Sequence, residues 1–248
     1  MKYKIFVGVG IVVAVVAVIV LVEIIYIKYN GKPVAAPNIP RGPETFGSGQ
    51  PLNFVVLGDS TSIGQGSDYN DGIARNSARY LTEKGYAVTM QNFGISGAVA
   101  QDVLTQQLPK AVQLSPDVVL LAVGANDVTH FTASTKVRDS LNQTIRQLQA
   151  SNPKVAIILT GSPQMGSIPR FPQPIRYVAG VRTAKLNETL ASLQQSTVIL
   201  APLATDTGQL FSEHPELFAE DNFHPTGAGY QGWMPTLQRA YDKLITQN

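Results

Sequence analysis

Five short runs of apolar, β-branched residues constrain this chain more than any other feature. They occupy residues 53–57, 87–93, 118–123, 155–160 and 198–200, each flanked by Gly, Pro, Ser or Asn. Runs too short for helices and closed by turn formers read as buried strands. Between them the apolar residues recur at helical spacing, as in Val137-Leu141-Ile145-Leu148 and Leu186-Leu190-Leu193, and residues 230–245 read as a final helix. Strands that alternate with helices need long crossovers, which yield a parallel sheet covered on both faces. The expectation is an α/β protein: a three-layer α/β/α sandwich on a five-stranded parallel sheet.

The start of the chain differs from the rest. Residues 5–22 are unbroken apolar or Gly, followed by Glu23 and the apolar residues 24–27, with Lys2 and Lys4 ahead of them. Such a run matches the roughly 20 residues that a helix needs to cross a hydrocarbon core about 30 Å thick. It also exceeds the ~7–15-residue apolar core of a cleaved export signal, although Val34-Ala35-Ala36 is a serviceable cleavage site. Residues 1–29 are therefore expected to form a transmembrane helix that anchors the protein, with the C-terminal domain outside the cytoplasm. Cleavage would make the protein secreted. Residues 30–50 carry Pro33, Pro37, Pro40 and Pro43 among Gly, Asn and Ala. Proline at that density suits a semi-rigid spacer, which leaves residues 51–248 as the folded domain.

Several classes of function fall away. The chain has no cysteine, which excludes disulfides, thiolate zinc sites and thiol nucleophiles. A formal net charge of +2, with Lys and Arg scattered, leaves no electrostatic footprint for nucleic acid.

In an open parallel sheet, ligands bind beyond the carboxyl ends of the strands, where strand order reverses. In a flavodoxin-like order that point lies between the first and third strands, so the residues after Leu57 and Val123 carry the most weight. The first strand ends in Gly58-Asp59-Ser60-Thr61-Ser62. Ser60 can offer a hydroxyl to the crevice, while the plainer reading makes Asp59 or Ser60 a helix cap. The third strand ends in Gly124-Ala125-Asn126-Asp127. An amide donor at Asn126 suits a developing oxyanion; an Asx-turn closing the strand is the alternative. After the second strand, Gly94 and Gly97 can serve turns, or bring a backbone N–H to substrate, with Gly97 the better placed. Of the three histidines, His130 follows the Asn126 segment, His214 sits in a polar loop, and His224 lies three residues after Asp221. That spacing lets Asp221 orient the His224 ring, the base half of a serine triad. No further residues stand at useful metal-ligand spacing around the pair.

Gly58-Asp59-Ser60, Gly97, Gly124-Ala125-Asn126-Asp127 and Asp221-x-x-His224-Pro225 together resemble the four blocks of the SGNH (GDSL-type) hydrolases, in order, across residues 58–225. Pro163-Gln164-Met165-Gly166 adds to the likeness to bacterial members. Phe223 departs from it, since many members carry a smaller residue or Leu there. The resemblance implies the SGNH hydrolase fold and ester hydrolysis with no cofactor and no metal. Ser60 would be the nucleophile, His224 the base and Asp221 its orienter. The oxyanion hole would comprise the Ser60 and Gly97 N–H groups and the Asn126 amide. Expected substrates are short-chain acyl or carbohydrate-linked acetyl esters. The alternatives are a lysophospholipase or thioesterase acting on lipid acyl chains, and a non-catalytic surface module that binds glycan or lipid.

Overall fold

The computed structural model describes residues 2–245, with the backbone alone for residues 2–10, 12 and 245. All five apolar runs form parallel strands: β2 (Gln50–Gly58), β3 (Tyr86–Asn92), β4 (Val118–Ala122), β5 (Ala156–Leu159) and β6 (Val198–Leu200). A further strand, β1 (Glu44–Phe46), pairs antiparallel with β3, so that the spatial order is β1-β3-β2-β4-β5-β6. The sheet is thus mixed and six-stranded, which corrects the expected five-stranded parallel one. The sixth strand had no apolar run to betray it. Glu44-Thr45-Phe46 pairs on one side only, at a sheet edge, where polar residues are tolerated.

Helices cover both faces. On one face α2 (Ile73–Glu83) packs against α9 (Gly227–Ile245), and α8 (Leu203–Glu213) joins α9. The other face carries α3 (Ala100–Asp102), α4 (Leu108–Ala111), α6 (Ser134–Ser151) and α7 (Ile175–Leu190), with the short α5 (Ala125–Thr129) beside α7. A π-helical turn, Val103–Gln107, joins α3 to α4. Every residue of β4 and β5 is buried, as two covered faces require. Val137, Leu141, Ile145 and Leu148 form the buried stripe of α6.

Residues Lys2–Tyr29 form helix α1. Among the described residues, no helix is long and apolar enough to cross a membrane. This corrects the expected transmembrane helix; residues 5–10 and 12 of that run lie outside the described side chains. The last turns of α1 are committed to the domain. Glu23 is only 5% exposed, Ile27 packs against the core, and the Ile27 carbonyl accepts a 3.1 Å hydrogen bond from Arg170 Nε.

Strand order reverses between β2 and β4, whose ends meet at Gly58 opposite Ala122. Gly58 has φ of +146°, and a Cβ there would lie 1.9 Å from the Ala122 carbonyl oxygen. Only glycine fits, and the backbone can then turn out of the sheet directly before Ser60.

Candidate active site

After Gly58 the chain makes consecutive turns and no helix. Ser62 N bonds Asp59 O, Gly64 N bonds Thr61 O, and Gln65 N bonds Ser60 O. The nearest helical turn downstream, the 3-10 turn Tyr69–Asp71, is capped by Asp68, and α2 starts at Ile73, so Ser60 caps nothing. Asp59 instead closes an Asx-turn, its Oδ1 accepting from Thr61 N at 2.9 Å and Thr61 Oγ1 at 2.8 Å. Burial pushes the Asp59 carboxyl up to about 6, against those hydrogen bonds and the nearby His224.

The structure brings Ser60, His224 and Asp221 into one line. His224 Nε2 lies 2.9 Å from Ser60 Oγ, and His224 Nδ1 lies 2.6 Å from Asp221 Oδ2. Asp221 Oδ1 accepts from the N–H groups of Phe223 and His224, both at 3.0 Å. The three-residue spacing therefore acts through a tight loop, made possible by Asn222 at φ +56°. Burial opposes the Asp221 charge, but hydrogen bonds from the His224 ring and these N–H groups outweigh it and hold the carboxyl below the usual range. An ionised Asp221 fixes Nδ1 as the protonated nitrogen, which leaves Nε2 free to accept the Ser60 proton. The Phe223 ring meets His224 edge-on at 4.9 Å. Pro225 bridges Phe218, and α9 begins at Gly227, three residues before the expected start at Tyr230.

Gly97, at φ +83°, sits in the turn after β3, and among the described residues neither its N–H nor that of Ser60 has an acceptor. Asn126 lies in the first turn of α5, after Gly124, and donates from Nδ2 to the Ala98 carbonyl at 3.0 Å. That bond ties the Gly97 turn to the end of β4 and leaves the second amide hydrogen available. Asp127 does not close its own turn. Its Oδ2 accepts from Ala100 N at 3.0 Å, and burial raises its pKa. His130 and His214 take no part: His130 is exposed, and His214 pairs with Glu216 on the surface at 2.8 Å.

Some supporting residues gave no sign in the sequence. Gln107 is fully buried and bonds both the N–H and the C=O of Gly58. Asn92 joins the Ser62 carbonyl to the Gly94 N–H. Tyr230 OH holds the Gln65 carbonyl at 2.7 Å. All three bond main-chain groups, which spacing does not reveal. Among the described residues, no group of three or more His, Cys, Asp or Glu could hold a metal ion.

The family described as GDSL-like Lipase/Acylhydrolase matches residues 56–231. A GDSL-like esterase of Mycobacterium tuberculosis is 28% identical over 185 residues, which cover 72% of this chain and 58% of that protein. The fold is similar to that of a lipase from a goat rumen metagenome (TM-score 0.62, 16% identity, 76% of this chain and 97% of that one). It is also similar to TesA (TM-score 0.61, 21% identity, 77% and 99%). A two-domain esterase active on acetylated mannans matches at TM-score 0.61 and 20% identity, with 80% of this chain and 50% of that one covered.

Proposed function

The chain belongs to the GDSL-like lipase/acylhydrolase family, and we propose that it is a serine hydrolase of carboxylic esters with short acyl groups. One observation carries this reading: the continuous line from Ser60 Oγ to His224 Nε2 at 2.9 Å and from Nδ1 to Asp221 Oδ2 at 2.6 Å. A serine hydroxyl is a weak nucleophile until a base takes its proton. His224 does so as Ser60 Oγ bonds the ester carbonyl carbon, and Asp221 stabilises the imidazolium that results. The tetrahedral oxyanion is held by the Ser60 N–H, the Gly97 N–H and the Asn126 amide. His224 then gives its proton to the departing alcohol oxygen. In the second half, it takes a proton from water, whose oxygen bonds the acyl carbon; the bond from that carbon to Ser60 Oγ then breaks, His224 returns the proton to Oγ, and the acid leaves.

The short-acyl preference draws on a cavity of about 30 Å³ beside the His224 ring, lined by Thr61, Ala125, Ile168 and Phe223 among others. A space of that size holds about two water-sized groups, which suits acetyl better than a lipid chain. The mannan-acetyl activity of the two-domain esterase of similar fold is in keeping with this. Ser60→Ala is expected to leave a folded protein without measurable esterase activity, and a fluorophosphonate should label Ser60 alone. Label on another serine, or activity surviving Ser60→Ala, would reject the reading.

A further inference from the structure

Residues 30–41, expected as a spacer, run as a strap from one side of the active-site crevice to the other. At the triad loop, Lys32 N donates to the Glu220 carbonyl at 2.8 Å, and Gly31 packs so closely on Asp221 that a Cβ would lie 2.4 Å from its carbonyl oxygen. At the nucleophile turn, the Val34 carbonyl accepts from Gln65 Nε2 at 3.0 Å. Gln65 in turn accepts from Ser96 Oγ at 2.6 Å, one residue before Gly97, and its own N–H bonds the Ser60 carbonyl at 3.0 Å. Farther on, Ile39 packs against the core, and Ile39, Pro40 and Arg41 line a cleft of about 410 Å³ with Phe93, Gly94 and Ile95.

The strap therefore contacts the Asp221 loop directly and reaches the Ser60 carbonyl and Ser96, the residue before Gly97, through Gln65. Gly31, Val34 and Pro37 are half-buried, and the two residues after Gly31 and after Val34 are exposed. Burial at every third position is the repeat of a polyproline II helix, which needs no partner strand and brings little flexibility. Ser60, which the strap reaches through Gln65, is only 5% exposed. A chain held at both ends of a crevice limits what enters it.

We propose that residues 31–41 form one wall of the substrate cleft and set the size of the alcohol half of the ester, with Val34 the position that narrows it. This rests on the serine-hydrolase reading above, because it takes the crevice as the substrate site. Val34 bonds Gln65 only through its carbonyl, so its side chain can change while the bond remains.

The test compares methyl acetate with 1-naphthyl acetate on the full chain. Turnover of methyl acetate by the wild type tests the hydrolase reading independently of the variants. Val34→Trp should lower kcat/KM for the naphthyl ester about tenfold or more and leave the methyl ester within about twofold, the discrimination typical of one filled pocket position. Val34→Ala, which cannot overfill the site, should shift the naphthyl-to-methyl ratio the opposite way. If both esters change by one common factor in both variants, or neither ester changes, the strap is not a wall of the site.

Discussion

Gln107 and Gly58 form a reciprocal amide pair: the Gly58 N–H donates to Gln107 Oε1, and Gln107 Nε2 donates to the Gly58 carbonyl, both at 2.8 Å. The same carbonyl accepts from Ile95 N at 3.0 Å. One peptide thereby joins the end of β2, the turn that leads to Gly97, and the π-helical segment Val103–Gln107, a kind of irregularity that recurs at functional sites.

Gln107→Leu should orphan the buried Gly58 N–H and cost about 1–3 kcal/mol of stability. Gln107→Glu is the sharper probe. When protonated it can donate to the Gly58 carbonyl as the amide does; when ionised it opposes that carbonyl. Denaturant unfolding of Gln107→Glu is expected to match wild type in mild acid and to weaken as pH rises. A pH-independent difference would show that the donor half of the pair carries no weight.

Asp59 makes a second pH-dependent prediction. Its folded pKa, pushed by burial to about 6, lies above the ordinary carboxylate value of 3.8. The folded state therefore binds more protons than the unfolded chain between those values, and stability falls as pH rises through that window. The shift corresponds to roughly 3 kcal/mol. Asn at this position keeps an acceptor for the two Thr61 hydrogen bonds without the buried charge. Asp59→Asn should thus be more stable than wild type at pH 8 and nearly equal at pH 4, measured by urea unfolding. Equal stability at both pH values would mean that the charge is not penalised.

The strands β2 to β6 were legible because a sheet covered on both faces turns each strand into a continuous apolar run, whereas β1, paired on one side at an edge, had no such run. Ser60 and Asn126 stood out as candidates because each directly follows a strand end, and Asp221 and His224 because a three-residue loop pairs them locally, although the fold joins Ser60 to His224 across 164 residues. Gln107, Gln65 and Arg170 were not. Each contacts main-chain atoms 31 to 143 residues away, and no local pattern records an amide or guanidinium aimed at a distant carbonyl. The same limit explains the N-terminal segment. Hydropathy described its residues one by one, but the docking of Ile27 and the strap depends on tertiary contacts from Arg170, Glu220 and Gln65.

Asn126 separates two roles by kinetics. Its amide holds the Ala98 carbonyl at 3.0 Å, and the remaining N–H is available to an oxyanion. Asn126→Ala is expected to lower kcat by about 10²–10³-fold with KM little changed, the pattern of a contact made mainly in the transition state. A large fall in melting temperature with kcat intact would assign Asn126 to holding the turn alone.

Acyl length tests the cavity beside His224. Its volume is about 30 Å³, and Phe223 forms part of its wall, held edge-on by Phe171 at 5.9 Å and against the His224 ring at 4.9 Å. A buried CH₂ gains about 0.8 kcal/mol, but a chain longer than the cavity leaves its further carbons in water and gains nothing from them. With nitrophenyl esters of graded length, kcat/KM should be highest from acetyl to butyryl and fall steeply beyond about eight carbons. Phe223→Ala removes the ring but keeps the Phe223 N–H that donates to Asp221 Oδ1. It should therefore move the optimum toward longer chains, while acetyl turnover falls because the His224 ring loses its edge contact. A wild-type preference for dodecanoyl esters would reject the short-acyl assignment. An unchanged chain-length profile in Phe223→Ala would instead show that the acyl group binds elsewhere in the crevice.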